Sequence, residues 1–408
     1  MPTAPSVPPS ELYQARLLVD NLRRTVFERP LAEVDPQTLE RLAAEEARLA
    51  SLEAQAAAAS PGGGLLTSFN AAAPGLALGT QTTGLSAEVF LRLEHLPTAT
   101  CHLFDAETNP LVSCTVNNTS TAIRRLRVTA YIEGYSAHAI QTQEIPPKKE
   151  HTFNLLPTLF LQSIRDLNEL SRATLNVLVE DLDGKVERHI TRPIWLLART
   201  AVPLAVQDPK TKSWQDLSRY LGAFVTPNAQ PVLEFLRQVA AAHPRQRLTG
   251  YIDPQEPVEA QVRAAYQALQ GHAIRYIHSP LAFNPAQGAA TQRVRLPGES
   301  LADKSANCID GTVLFASLLE AMALNPALVI VPGHAFLAWA ATAAEDAEWK
   351  YLETTLVSSK SFEEACATAE ALAKQFQAVQ QANPERKDLF RRWPLRQLRS
   401  EFKIYPME

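Results

Sequence analysis

Between residues 86 and 199 apolar and polar residues alternate with a period of two, and beyond about residue 212 that alternation gives way to helical spacings and one unbroken apolar run. Strand side chains alternate between two faces while helix side chains repeat every 3.6 residues, so the two halves belong to different structural classes. In the first half Val89, Leu91 and Leu93 alternate, as do Val112, Cys114 and Val116 before Asn117-Asn118-Thr119. Leu126, Val128, Ala130 and Ile132 follow, closed by Glu133-Gly134, and Leu175, Val177 and Val179 lead into Asp183-Gly184 with Val186, His189 and Ile190 returning. Aspartate followed by glycine between two alternating runs is a hairpin signal. Several short strands with no long helical period predict an all-β sandwich of immunoglobulin-like architecture over 85–200, although no Cys–Trp–Cys signature is present.

The rest of the chain is read around that block. Residues 1–59 are expected to be helical. Ser10 and Asp35-Pro36 supply start signals, and Leu39, Leu42, Leu49 and Leu52 form one stripe. The stretch 60–84, rich in Gly, Ala, Pro and Thr, reads as a flexible linker. From 201 to 408 the expectation is an α+β domain. It has helices over 214–223, 230–242, 258–271 and 362–383, a short strand at 274–277, and a tail in which Arg and Lys interleave with Leu389, Phe390, Trp393 and Leu395.

A chain of 408 residues can bury more than one core. Its net charge of -4 argues against nucleic acid as the main partner, since phosphate binding needs a basic face. No apolar run approaches the roughly 18 residues that span a bilayer, and the first residues lack a basic then apolar leader pattern. Four cysteines do not make a disulfide framework in a chain of this length. The expectation is a cytoplasmic protein with free thiols and no cofactor or metal. Cys101, Cys114 and Cys366 are read as packing residues.

One stretch carries chemistry. Cys308 stands at the start of a helix that Ser305 or Asn307 can cap and that ends at Asn325-Pro326. There the sulfur meets the positive end of the helix dipole and unpaired first-turn amides, which favour negative charge on it and can receive an oxyanion. Ala327 to Val331 reads as a buried strand, Pro332-Gly333 turns the chain, and His334 opens the next strand. Glu353 lies 19 residues further on, at or near a third strand. Antiparallel pairing would bring the histidine and carboxylate together at the edge where the helix begins. A thiol, a base and a group that orients the base are the parts of a covalent catalyst. Asp310 and Asp346 are weaker candidates for the third part, one being on the cysteine helix and the other in a loop.

The strings Asn307-Cys308-Ile309-Asp310, Leu324-Asn325-Pro326, Gly333-His334-Ala335-Phe336 and Leu352-Glu353-Thr354-Thr355 are similar to motifs of the transglutaminase-like superfamily of papain-related cysteine enzymes, in particular a bacterial subset. The resemblance spans about 292 to 355. It implies a papain-related fold for 201–408 and acyl chemistry on amide bonds, with Cys308 as nucleophile, His334 as base and Glu353 where the superfamily usually has aspartate. It further suggests Gln292, in a loop, and Asn307 as oxyanion donors, with Tyr276 and His278 flanking the cleft. Three readings stay open: a protease or peptidase, a transglutaminase transferring the acyl group to an amine, and an inactive binding scaffold. A protein or peptide substrate is expected under the first two, and the N-terminal helices and β-sandwich add a surface for a protein partner under all three.

Overall fold

The computed structural model describes residues 84–407 apart from 93–94, 108, 183–185, 208–213, 254 and 278–288, together with six helical positions between 41 and 52. The expected linker, nearly all of the expected N-terminal helices, the Asp183-Gly184 turn and His278 fall outside the described residues. What is described is a mixed structure of helices and several sheets.

The period-two block forms eight strands: β1 (Leu85–Leu91), β2 (His95–Leu96), β3 (Val112–Asn118), β4 (Arg124–Ile132), β5 (Ala139–Ile145), β6 (Glu150–Leu155), β7 (Ser171–Asp181) and β8 (Val186–Leu196). They make a three-stranded sheet in the order β1-β3-β6 and a five-stranded sheet in the order β2-β8-β7-β4-β5, with one helical turn, α1 (Leu161–Ile164), between β6 and β7. Both sheets contribute their apolar faces to a single core. Val112, Cys114, Val116 and Phe153 come from the first sheet, and Leu126, Val128, Leu175, Val177 and Ile194 from the second. The alternation that marks these strands is therefore the imprint of two sheets with one buried face each. Cys101 and Cys114 are buried there as free thiols, pushed up to about 12 by burial.

A second core begins near β9 (Ala201–Gln207), which lies between β10 (Trp214–Asp216) and β12 (Ala289–Arg293) in an antiparallel sheet. The expected helix over 214–223 is instead β10 followed by a 3-10 turn, Ser218–Phe224. Six of its seven residues are buried, and its apolar spacing imitates a helix because all but Arg219 face protein. Helices α2 (Gln230–Ala242) and α3 (Val258–Gly271) form where their apolar spacing predicts, and Arg275–Tyr276 forms strand β11. A short helix α4 (Pro297–Asp303) and strand β13 (Ser305–Ala306) then lead into α5 (Cys308–Ala321).

Helix α5 is the axis of this region, with Ile309 through Leu319 all buried. It packs on one face of a four-stranded antiparallel sheet ordered β16-β15-β14-β17, comprising Trp349–Leu352, His334–Ala340, Pro326–Val331 and Arg391–Pro394. Leu328, Ile330, Leu337 and Trp339 belong to the core that α5 enters. Ala327, Val329, Phe336 and Ala338 point to the other face, where Ala369, Leu372 and Ala373 of α6 (Phe362–Ala382) cover them. A strand covered on both sides needs no polar face, which explains the unbroken apolar run at 327–331. The basic tail supplies the edge strand β17 and the last helix α7 (Leu395–Ser400). No helix among the described residues is long and apolar enough to cross a membrane.

Candidate active site

Cys308 is the first residue of α5, held there by a reciprocal cap. The Asn307 side-chain oxygen accepts from the Asp310 amide at 2.8 Å, and the Asp310 carboxylate accepts from the Asn307 amide at 3.1 Å. That carboxylate also accepts from the Arg295 amide at 2.8 Å and from Arg295 Nη1 at 2.9 Å. The first turn of α5 is thereby tied to the preceding segment, and Asp310 is spent on this structural task. The Asp310 and Gly311 amides are taken by Asn307, whereas the Cys308 amide has no partner among the described residues.

Strands β14 and β15 form a hairpin whose last pair is Val331 with His334. Gly333 in its two-residue turn has a φ of 72°, a left-handed conformation that glycine adopts without strain. His334 is thus the first residue of β15, and Glu353 is the first residue past β16, which pairs with β15. His334 Nε2 and Glu353 Oε2 are 2.7 Å apart. The Cys308 side chain lies near enough to the His334 ring to favour its charged form, and Nδ1 is the ring nitrogen that Glu353 leaves. The second oxygen of Glu353 accepts from the Thr355 amide at 3.0 Å and from its hydroxyl at 2.6 Å. Glu353 is 3% exposed, so an unpaired charge there would be costly, and these bonds are what allow it to stay ionised.

The electrostatics follow from these contacts. Burial works against a charged His334, but the Glu353 carboxylate and the bonds to Cys308 and Glu353 outweigh it and raise the imidazole well above its ordinary value. Burial likewise opposes ionisation of Glu353, and the His334 charge with the bonds from His334 and Thr355 hold its carboxyl below the usual range. Tyr276 lies close enough to feel both Cys308 and Glu353. Burial of its hydroxyl end and then those two groups push the phenol up to about 12.

The other expected residues are placed differently. Gln292 lies on β12, a strand and not a loop, paired with Val202, and its amide donates to the neighbouring Arg293 carbonyl at 3.0 Å. Among the described residues no hydrogen bond joins it to Cys308 or His334. Asn307 is adjacent to the cysteine with its side-chain oxygen engaged in the cap. Asp346 is in the exposed loop between β15 and β16. Cys366, on α6, is pushed up to about 12 by burial first and nearby glutamates second.

No family model matches the chain, and no curated protein matches it. Among solved structures, a FixG-related protein from Vibrio parahaemolyticus aligns at 11% identity over 29% of this chain and 99% of that one, with a TM-score of 0.21. Native alpha-2-macroglobulin from Escherichia coli, from domain MG7 to the C-terminus, aligns at 11% identity over 48% of this chain and 35% of that one, with a TM-score of 0.20. An Amycolatopsis orientalis exo-chitosanase aligns at 12% identity over 54% and 30%, also at 0.20. Likenesses of this size carry no argument about this chain.

Two features of the site were not assigned from sequence. Thr355, whose hydroxyl fixes Glu353, stands in the Leu-Glu-Thr-Thr string, and a hydroxyl two residues after a carboxylate is a recognisable local bonding pattern. Gly311 lets α5 approach the turn after β16, since a Cβ there would lie 2.9 Å from Thr354 Oγ1. Beside this contact is a cavity of about 10 Å³ lined by Tyr276, Asn307, Gly311, Thr354 and Thr355, room for one water. Among the described residues no cluster of three His, Cys, Asp or Glu is arranged to hold a metal ion.

Proposed function

We propose that the chain is a cysteine hydrolase of transglutaminase-like type, a protease or peptidase that cleaves amide bonds through Cys308, His334 and Glu353. The observation that carries this reading is the single line of contacts from thiol to imidazole to buried carboxylate, at the start of a buried helix. His334 Nδ1 takes the Cys308 proton, and the sulfur attacks the substrate carbonyl carbon. The resulting oxyanion faces the unpartnered Cys308 amide. The intermediate collapses as the imidazolium gives its proton to the departing nitrogen, leaving a thioester on Cys308 and a free amine. Water then attacks the thioester, giving its proton to His334. Collapse of this second intermediate expels the thiolate, which takes the proton back, and the acid leaves. Glu353 fixes the ring and stabilises its charged form throughout.

The motifs shared with the superfamily support the same chemistry, and the β block is read with it as an immunoglobulin-like sandwich presenting a protein substrate or partner. Four free cysteines suit a reducing compartment such as the cytoplasm. Cys308→Ala is expected to abolish turnover and labelling by a thiol-directed probe while leaving the free energy of unfolding within about 1 kcal/mol of wild type. Full activity in Cys308→Ala would end the assignment. Adding a labelled primary amine separates hydrolysis from acyl transfer. Release of acid with no label on the acyl fragment is expected of a hydrolase.

A further inference from the structure

Strands β11 and β13 form a two-stranded parallel sheet, with Arg275 beside Ser305 and Tyr276 beside Ala306. The Arg275 amide donates to the Lys304 carbonyl at 2.9 Å, and the Ile277 amide donates to the Ala306 carbonyl at 3.0 Å. Main-chain groups along a strand alternate in direction, so the N–H and C=O of Tyr276 point away from β13. Among the described residues nothing hydrogen-bonds either group. Cys308 follows Ala306 by two residues, and the Tyr276 side chain on this strand lies close enough to feel the thiol.

We propose that the outer edge of β11 is where an extended stretch of a polypeptide substrate docks, adding as a strand beside Tyr276 so that one of its carbonyls lies over the Cys308 sulfur. This rests on the cysteine-hydrolase reading and names the substrate as polypeptide in extended form. An outward amide and carbonyl on one residue are the complement of a peptide unit, and strand addition to a free edge is a recurring way of capturing peptides. Tyr276 and Ile277, the residue just past β11, are 46% and 48% exposed and as neighbours in extended chain offer the docked strand apolar contact on both sides. The cavity beside Tyr276 has room for a water but not for a substrate side chain, so contact along the strand carries recognition. An edge left unpaired by the described residues invites unwanted pairing, and here it belongs to the strand whose Tyr276 feels the nucleophile.

The test measures labelling rates of Cys308 in the full chain. Iodoacetamide reports the thiol alone. A positional library of short peptides ending in an acyloxymethyl ketone reports docking, alongside the same ketone without a peptide and analogues N-methylated at one amide at a time. The peptide probe is expected to label faster than the bare ketone, and N-methylation at one position is expected to slow it about tenfold, the size of one lost main-chain hydrogen bond. Tyr276→Pro removes an N–H that faces outward, so the pairing with β13 is kept. Normalised to its own iodoacetamide rate, it should lose more peptide labelling than Tyr276→Ala, with circular dichroism verifying that each variant is folded. Tolerance of N-methylation at every position, or equal rates for the proline and alanine variants, would overturn the docking edge. Failure of iodoacetamide to alkylate Cys308 would instead remove the hydrolase reading beneath it.

Discussion

The carboxylate that partners His334 is a glutamate, and the register of the sheet gives a reason for a side chain of that length. Leu337 pairs with Leu352, so continuing the ladder by one step sets Glu353 opposite Phe336 and diagonal to His334. Diagonal neighbours on a sheet are about 7–8 Å apart at the backbone, a gap that the extra methylene of glutamate helps to cross. Glu353→Asp is therefore expected to lose the 2.7 Å bond and to lower kcat/KM about 100-fold, with the protein still folded. Steady-state kinetics on a peptide substrate check this, and an Asp variant with wild-type kcat/KM would refute the diagonal argument. The same pair sets a pH dependence of stability. Glu353 is held below its ordinary value, so its contribution is present above about pH 4.3 and is lost as pH falls through the lowered folded value. His334 is raised, so its contribution is full below about pH 6.5 and is lost as pH rises through the elevated folded value. The stability difference between wild type and His334→Ala should accordingly be largest between those two values and shrink on either side. Urea denaturation at a series of pH values measures it. At this scale the meeting of Cys308, His334 and Glu353 at one edge was legible because each stands at or next to the end of its element. Gln292 was not placed correctly: a glutamine on a paired strand leaves no mark that distinguishes it from one in a loop.

Helix α5 and the turn after β16 meet at Gly311, and the fit there is tight. Gly311→Ala would put a methyl group 2.9 Å from Thr354 Oγ1 and 3.2 Å from Thr354 Cβ. The turn carries Glu353 and Thr355, so the expected result is about 1–3 kcal/mol of lost stability together with a fall in kcat, although no reacting group is touched. Thermal unfolding and kinetics measured on the same variant test the two parts. Loss of stability with kcat intact would mean that the turn does not position the carboxylate. The strands that sequence reading left out share a physical cause. β5 is exposed along most of its length, so its residues carry no apolar alternation to detect. β17 is Arg391-Arg392-Trp393-Pro394, which reads as a basic tail. Its arginines are accommodated because Arg392 lies over the Trp349 ring and bonds the Tyr351 hydroxyl, while Arg391 pairs with Asp216. Helices α2 and α3 and the strands around 327–340 were legible because burial on a fixed face, or on both faces, dictates their composition.

At the scale of the molecule, two cores meet where Phe104 packs edge-on against Tyr220, ring centroids 5.3 Å apart. Phe104 touches the core of the paired sheets and the core around α5 alike. Phe104→Ala is expected to lower the thermal midpoint and to broaden or split a single unfolding transition, which calorimetry would register. An unchanged single transition would mean that this contact does not couple the two cores. The change of periodicity along the sequence marks the division between these cores well, since it reflects which faces each region buries. The contact itself joins residues more than a hundred positions apart, and no local pattern announces it. The same reach governs the far end of α5. Arg399 binds Glu320 near the end of that helix at 2.9 Å and 3.0 Å, and its remaining donors hold the carbonyls of Gly222, Val225 and Ile404. Together with β17, which pairs with β14, this clasp ties residues 391–404 to the sheet and to the far end of α5. A nascent chain that has reached Glu353 therefore holds Cys308, His334 and Glu353 but still lacks the residues, 391–404, that brace the sheet edge and the far end of α5.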